Sequence, residues 1–245
     1  MFLGVALVFV LANNRMKKQN ACIYDLFIVA AFCMLFVLIG SSVLYALVTY
    51  PFGTLVKMLL AGKFEVFGGL VYYGGLIGGI IGAIIGVKVS KVDTKIVERS
   101  VIPFLPLGHA IGRVGCVMAG CCNGMEYSGL FAIHYPHSVA GLPPEQGYFP
   151  VQLLEAFINI FIALILIFYS RKERKTYNIL FLYLLMYGIT RFSLEFLRGD
   201  AVRGIYFGIS TSQWVSIGLI AISLLNFAFR YFISIRNSNK TEIKN

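Results

Sequence analysis

Charged residues are scarce in this sequence of 245 amino acids. Only 13% of the residues are Asp, Glu, Lys or Arg, whereas 58% are hydrophobic. This composition departs far from that of soluble globular proteins, and it leaves no room for a separate soluble domain. The scarcity also makes each charge inside an apolar stretch a candidate for function, because such a charge costs at least about 2.5 kcal/mol in a membrane.

The sequence also shows neither a disulfide framework nor a removable signal peptide. It contains five cysteines, an odd number, and two of them lie in apolar runs. That pattern does not imply paired cysteines. The first apolar run, Met1 to Ala12, has no basic region before it and no small-residue cleavage site after it. We therefore expect a short first helix there.

The sequence is rich in long apolar stretches, each close to the roughly 20 residues needed to cross a bilayer. We predict an all-α polytopic membrane protein of about seven transmembrane helices. Residues 1–245 would form one integral membrane domain, with a cytoplasmic tail over about 234–245. The predicted spans are Met1 to Ala12, Cys22 to Tyr50, Glu65 to Val87, Val101 to Gly120, Val151 to Tyr169, Tyr177 to Leu197 and Ile205 to Ile233.

The basic residues are distributed unevenly among the links between these spans. Fifteen of the 21 lysines and arginines lie in four alternate segments, and the long link over 121–150 contains none. The positive-inside rule then predicts an external N-terminus, a cytoplasmic C-terminus and an outward-facing 121–150 link. The formal charge of +10 is thus explained by topology and anionic headgroups. A nucleic-acid partner is not expected, because the basic residues form no single patch.

Glycine is concentrated in the third predicted span. Small residues recur four apart there, a spacing that lets helix backbones approach closely in lipid. Simple packing explains the later glycines at least as well as any other role. For Gly74 and Gly75, which follow Tyr73, we favour a shaped site, with a broken or re-entrant stretch before Tyr73.

Ionisable residues inside the spans indicate a ligand. Tyr187, Arg191, Glu195 and Arg198 are spaced to lie on one helix face. Arg191 is the strongest functional candidate, with Glu195 as its partner, although a neutralised structural pair is the alternative. Arg113 lies in the fourth span, where snorkelling to the interface is the alternative. Two arginines able to fork onto phosphate oxygens suggest an anionic lipid headgroup.

His109 and three cysteines lie next to Arg113 in the sequence. His109 is one turn before Arg113, and a general base and a hydrogen-bonded packing residue are equally compatible with that position. Cys116, Cys121 and Cys122 lack the usual two-residue spacer of zinc sites, and adjacent cysteines ordinarily point in different directions. We expect no metal, and prefer packing at a turn to nucleophilic catalysis by Cys121 or Cys122.

The outward link ends at a helix start. Pro150 suits the first position of a helix, and Gln152 and Glu155 follow within about one turn, where their polar groups could meet the site. Glu155 has a second interpretation as a partner of the helix dipole. His134 and His137 are expected to be ordinary loop residues.

Together these segments resemble the prolipoprotein diacylglyceryl transferase family over about residues 68–217. Four motifs agree in order and spacing, which is far more specific than any one of them. They are Gly68-Gly69 through Tyr73-Gly74-Gly75, the segment from Gly112-Arg113-x-Gly115 to Gly124, Phe149-Pro150-x-Gln152-Leu153-x-Glu155, and Tyr187-Gly188-x-x-Arg191-x-x-x-Glu195-Phe196-x-Arg198.

The resemblance implies transfer of the diacylglyceryl group of phosphatidylglycerol to the thiol of a lipoprotein cysteine, with glycerol phosphate leaving. It implies a bacterial plasma-membrane enzyme with an outward site and no cofactor, in which two arginines hold the phosphate. The residues assigned to catalysis are Arg113, Arg191, Tyr73, His109, Tyr187 and Glu195. Those assigned to substrate binding are Gly74, Gly75, Cys116, Cys121, Gly124, Gln152, Glu155 and Arg198.

The chain departs from the family pattern at the residues that would handle protons. Tyr73 stands where well-studied members have histidine, Cys116 and Cys121 stand where they have asparagine and glutamate, and His109 stands where they are apolar. Either His109 handles the proton, or the acceptor is another molecule. The alternatives are a paralogue that transfers a glycerophosphate or diacylglyceryl unit to an acceptor such as a surface glycan, and a non-catalytic phospholipid-binding protein or transporter.

Overall fold

A computed structural model describes residues 2–62, 69, 71–172, 178–199 and 205–242 of the chain. These residues are mostly helical, and five of their helices are long and apolar enough to cross a membrane. The predicted all-α membrane architecture is therefore confirmed, whereas the count of seven spans and the orientation of the termini stay predictions. The five helices cover Ile23–Thr49, Thr94–Ala119, Val151–Tyr169, Asn178–Leu197 and Thr211–Ile233.

The described residues form nine α-helices, two short 3-10 helices and one small hairpin. The 3-10 helices are Ile102–Phe104 and Glu195–Leu197, each continuous with neighbouring α-helix. The elements in chain order are α1 (Phe2–Lys17), α2 (Ile23–Thr49), α3 (Phe52–Leu60), α4 (Tyr72–Ser90), α5 (Thr94–Val101), α6 (Leu105–Ala119), α7 (Val151–Tyr169), α8 (Asn178–Leu194), β1 (Ile205–Tyr206), β2 (Ile209–Ser210) and α9 (Thr211–Glu242).

The last predicted span begins too early, whereas its predicted end at Ile233 agrees with the end of the apolar part of the helix. Residues 205–210 form the antiparallel β1–β2 hairpin, and α9 begins only at Thr211. Phe207 and Gly208 at the turn both have positive φ, which is the backbone that a tight two-residue hairpin requires. At the other end, α9 continues to Glu242, because no glycine or proline interrupts residues 219–242.

The bounds of the other helices agree more closely with the sequence. Helix α7 coincides with the predicted span Val151 to Tyr169. Helix α3 is an additional short helix in what was predicted as a link. Helix α4 begins at Tyr72 rather than at Glu65. The predicted break before Tyr73 falls largely on residues 63–68 and 70, which lie outside the described residues.

The chain divides into two compact units, residues 13–97 and residues 1–12 with 98–245. The single domain predicted from the sequence stays a prediction. In the unit of residues 13–97, α2 packs along α4 through glycine. A Cβ atom added to Gly78 would overlap the carbonyl of Phe36, and one added to Gly74 would overlap that of Gly40. The close approach of the two backbones explains why small residues recur along α4.

The other unit is built around α6, α7, α8 and α9. Ile162 and Leu166 of α7 pack against Ile179 at the start of α8. Glu98 of α5 is buried, and its Oε1 accepts hydrogen bonds from the backbone N–H groups of Ile179 and Leu180 at 2.9 and 3.2 Å. A carboxylate at this place satisfies N–H groups that have no partner within the helix.

The link between α6 and α7 is tied to the segment after α8 by backbone hydrogen bonds. Met125 N–H donates to the carbonyl of Leu197 at 2.9 Å, and Gly199 N–H donates to that of Asn123 at 3.2 Å. Gly124 and Arg198 face each other as a β-bridge. A Cβ on Gly124 would overlap the carbonyl of Phe149. Gly124 therefore lets three backbone segments meet at the end of α8.

Candidate active site

A cluster of ionisable side chains around the buried Glu155 joins α6 to α7. Arg113 forms an ion pair with Glu155, with Nη2 3.0 Å from Oε1. Its Nε donates a hydrogen bond to Nε2 of His109 at 3.2 Å, and that His109 nitrogen lies 3.5 Å from Glu155 Oε1. Glu155 is only 1% exposed. The prediction that His109 and Arg113 share a helix face is confirmed, and Glu155 contacts the arginine rather than serving only the helix dipole.

Arg191 is the second arginine of the site, and it is buried at 8% exposure. Its Nη2 lies 2.6 Å from Glu195 Oε2, so the predicted partner is confirmed. The same nitrogen donates a hydrogen bond to Ser212 Oγ of α9 at 3.0 Å. The other terminal nitrogen, Nη1, is buried and has no hydrogen-bond partner among the described residues. A buried donor without a partner costs about 1–3 kcal/mol. A ligand that accepts a hydrogen bond from Nη1 would remove this cost.

Arg198 is held in place by a β-bridge rather than by the predicted helix. Helical structure after α8 ends at Leu197, and Arg198 is extended, with φ −86° and ψ 141°. The prediction that Arg198 shares a helix face with Arg191 is therefore wrong. The bridge to Gly124 positions its backbone instead. Gly124 thus lies beside this cluster, where it brings the backbone of Arg198 against the 121–150 link.

Three guanidinium groups converge. The charge of Arg198 acts on both Arg113 and Arg191. Tyr187 lies beside them, with its ring centre 5.6 Å from that of His109. Arg113 has the buried Glu155 on one edge, and Arg191 has Glu195 on one edge. The arrangement concentrates positive charge and hydrogen-bond donors, which suits a phosphate group.

Gln152 of α7 contacts the 121–150 link. Its Nε2 donates to the backbone carbonyl of Cys121 at 3.0 Å and contacts the Tyr135 hydroxyl at 3.1 Å. Its Oε1 is buried without a hydrogen-bond partner among the described residues. Burial raises the pKa of Tyr135 above its ordinary value, so Tyr135 stays a neutral phenol. Gln152 thus fixes the loop that carries the cysteines.

Cys116 at the end of α6 comes together with Cys121 and Cys122 of the following turn. The Sγ atoms of Cys116, Cys121 and Cys122 all lie within 4.8 Å of one another. Cys122 has a positive φ of 57°. The hydrogen bond from Cys116, followed by that from Arg198, lowers the pKa of Cys122 to about 5. The expectation that adjacent cysteines point in different directions is therefore wrong at this turn.

Three predicted site residues lie in the other compact unit, so their part in the site stays a prediction. Tyr73, Gly74 and Gly75 lie in the unit of residues 13–97, where both glycines are buried. The side chain of Tyr73 is outside the described part of the chain, so a catalytic role for Tyr73 stays a prediction. Ser212 and Tyr135 also contribute contacts. The local sequence predicts neither contribution, because nothing distinguishes a serine at a helix start or a tyrosine in a loop.

Comparison with known proteins places this arrangement in context. A family model described as "Prolipoprotein diacylglyceryl transferase" matches residues 1–229. A phosphatidylglycerol–prolipoprotein diacylglyceryl transferase from Clostridium tetani is 29% identical over 228 residues, covering 92% of this chain and 88% of that protein. A protein of the same name from Bordetella parapertussis is 30% identical over 228 residues, covering 89% of this chain and 84% of that protein.

Proposed function

Because the chain belongs to the prolipoprotein diacylglyceryl transferase family, we propose that it transfers the diacylglyceryl group of phosphatidylglycerol to the thiol of a prolipoprotein cysteine. The donor is an anionic phospholipid that reaches the site from the bilayer. The acceptor is a peptide segment that presents one cysteine. The enzyme would act in a bacterial plasma membrane, with its site toward the outer side.

The observation that carries the proposal is the state of Arg191. This buried arginine is held by Glu195 and Ser212 through a single nitrogen, which leaves Nη1 available for a ligand. A donor buried at this cost is explained by an anion that completes its hydrogen bonds. The phosphate of the lipid donor is such an anion, and Arg113 and Arg198 add charge beside it.

The reaction displaces a phosphate ester from carbon. The acceptor sulfur forms a bond to the terminal glycerol carbon of the diacylglyceryl group. The bond between that carbon and the phosphate oxygen breaks, and its electron pair leaves with glycerol phosphate. Negative charge therefore develops on the phosphate, where Arg113 and Arg191 stabilise it more strongly than in the bound lipid. The thiol proton must pass to a base or to solvent.

His109 supports the reaction by positioning Arg113 rather than by accepting the thiol proton. Its Nε2 already accepts the hydrogen bond from Arg113 Nε. A neutral imidazole has only one acceptor nitrogen, so this bond occupies the lone pair that a general base needs. Glu155 then holds the other side of the same arginine. The orientation of the guanidinium is thus fixed before the lipid binds.

A transfer assay with purified protein tests the proposal. The full chain is reconstituted in vesicles that contain phosphatidylglycerol labelled in its diacylglyceryl group, and a synthetic prolipoprotein peptide with one cysteine is added. We expect labelled peptide and one equivalent of released glycerol phosphate. Arg191→Ala should abolish both products, whereas Arg171→Ala, which alters an exposed arginine outside the site, should not.

The second candidate function keeps the donor and changes the acceptor. Cys116 and Cys121 replace the asparagine and glutamate of well-studied members, which favours a different acceptor environment. Release of glycerol phosphate in the presence of a glycan acceptor, without labelling of the peptide, would support this candidate and refute the first. A folded protein that binds phosphatidylglycerol but releases no glycerol phosphate with either acceptor would refute both.

A further inference from the structure

The three clustered cysteines are not needed for the proposed phosphate contacts. Their sulfur atoms lie within 4.8 Å of one another, although they come from two places in the chain, the end of α6 and the turn after it. We propose that Cys116, Cys121 and Cys122 form a binding site for one thiophilic divalent cation of the zinc class.

The backbone of the turn creates the cluster. Gly120 ends α6 in the left-handed conformation, with φ 60° and ψ 41°. Cys122 is also left-handed, with φ 57°, which is uncommon for a residue other than glycine, asparagine or aspartate. A residue held in this region costs on the order of 1 kcal/mol and persists where the surroundings enforce it. The unusual conformation of Cys122 places its sulfur beside those of Cys116 and Cys121.

The spacing of the sulfurs fits a metal ion after a small contraction. If all three separations equalled the 4.8 Å limit, the centre of the triangle would lie about 2.8 Å from each sulfur, compared with about 2.3 Å for a zinc–sulfur bond. Each sulfur would therefore move by about 0.5 Å, within the reach of a side-chain rotation. Zinc and related cations accept three protein ligands and keep a fourth position open.

Arginines beside the cluster bear on the charge of the site. Cys122 accepts hydrogen bonds from Cys116 and from Arg198, and a bound metal ion deprotonates the thiols that coordinate it. Three thiolates and one divalent cation carry one net negative charge. The positive charges of Arg198 and Arg113, which both act on Cys122, oppose that charge. The arginines would destabilise a bare cation but stabilise the complete complex.

The open fourth position gives the site a role if the proposed function holds. An acceptor thiol that binds there would lose its proton to solvent, and its sulfur would then attack the glycerol carbon while the phosphate leaves with the electron pair. A coordinated thiol is deprotonated by the metal itself. Such a site would supply the activation that His109, whose Nε2 already accepts a hydrogen bond from Arg113, is not arranged to provide. This step rests on the proposed function, whereas the metal site does not.

Cadmium binding tests the site without any substrate. The full-length protein, purified in detergent and reduced with a phosphine, is titrated with Cd²⁺, and the ultraviolet absorption of thiolate-to-metal charge transfer is recorded. We expect one cadmium ion per chain, displaced by Zn²⁺. Cys121→Ser should weaken binding at least about 100-fold, since loss of a ligand exceeds loss of an outer-shell contact. The matched controls are Cys22→Ser and Cys33→Ser, which should not change binding.

Two results would overturn the site. One is reduced wild-type protein that binds phosphatidylglycerol but takes up no stoichiometric cadmium, a result that does not depend on any variant folding. The other is a variant with serine at all three positions that binds cadmium like the wild type. The assigned role has its own test: a chelator should abolish labelling of the peptide and leave phosphatidylglycerol binding unchanged. Peptide labelling that persists without bound metal would refute the role.

Discussion

Replacement of Arg191 by lysine separates the ion pair with Glu195 from the hydrogen bond that Nη1 can donate to a ligand. The Nη2 atom of Arg191 contacts Glu195 at 2.6 Å and Ser212 at 3.0 Å. Lysine retains the positive charge and can keep the Glu195 contact, but it presents one nitrogen instead of a planar fork. Arg191→Lys therefore removes the donor at Nη1 while it leaves the buried carboxylate compensated. The variant should fold, because a lysine at position 191 can keep the ion pair with Glu195.

The expected loss follows from the missing hydrogen bond. A hydrogen bond to a charged group contributes about 1.5–3 kcal/mol. If that bond forms to the phosphate as charge develops, its loss lowers the rate constant by about 10- to 150-fold, at about 1.4 kcal/mol for each factor of ten. Arg191→Ala is more severe, since removal of one partner of a buried ion pair costs about 3–5 kcal/mol of stability.

The assay measures initial rates of peptide labelling from phosphatidylglycerol, with thermal unfolding recorded for each variant in detergent. Arg171→Lys is the matched control, because it makes the same exchange at an exposed arginine. A rate within twofold of the wild type for Arg191→Lys would refute the reasoning, since it would mean that Nη1 does not contact the reacting phosphate. Normal donor binding with a reduced maximal rate would place the contact in the transition state.

Three further predictions concern the same framework. Glu155→Gln should lower the unfolding temperature by the equivalent of about 1–3 kcal/mol and slow transfer, because Arg113 loses its charged partner; unchanged stability would contradict the ion pair. In the peptide-labelling assay, His109→Gln should retain most activity and His109→Ala should not, because glutamine can still accept the hydrogen bond from Arg113 Nε. If both variants are equally inactive, His109 acts as a base instead. Gly78→Leu should prevent α2 and α4 from packing, since a side chain would overlap the carbonyl of Phe36. The expected result is a loss of folded protein in detergent, and a normal yield and unfolding temperature would contradict that contact.

The sequence was informative where the physical cause is local. The exclusion of charge from lipid makes apolar stretches visible, so the span Val151 to Tyr169 was predicted at its observed bounds. The cost of a buried charge identified Arg191, and helical spacing identified Glu195 as its partner. The same rule extended the face to Arg198 incorrectly, because the helical spacing does not reveal that helical structure ends at Leu197.

The sequence was less informative where distant segments meet. Glu155 lies on α7 and Arg113 on α6, so their contact depends on how two helices pack. The spacing of the cysteines predicted that they would not cluster. That prediction assumed negative φ angles at each residue, whereas Cys122 has a left-handed conformation. Ser212 contacts Arg191 from α9, and a serine at a helix start normally suggests only a cap.

Arg113 and Arg191 are each held by a glutamate, and Nη1 of Arg191 remains for a ligand. The contacts of Arg113 use Nε and Nη2, directed to His109 and Glu155, and those of Arg191 use Nη2. An arginine inside the membrane without an anionic partner would be too costly to hold in place while the site is empty. The two glutamates compensate that charge before the lipid arrives, so the guanidinium groups need little reorganisation as phosphate charge develops. A site assembled in this way can combine stability in lipid with strong stabilisation of a leaving phosphate.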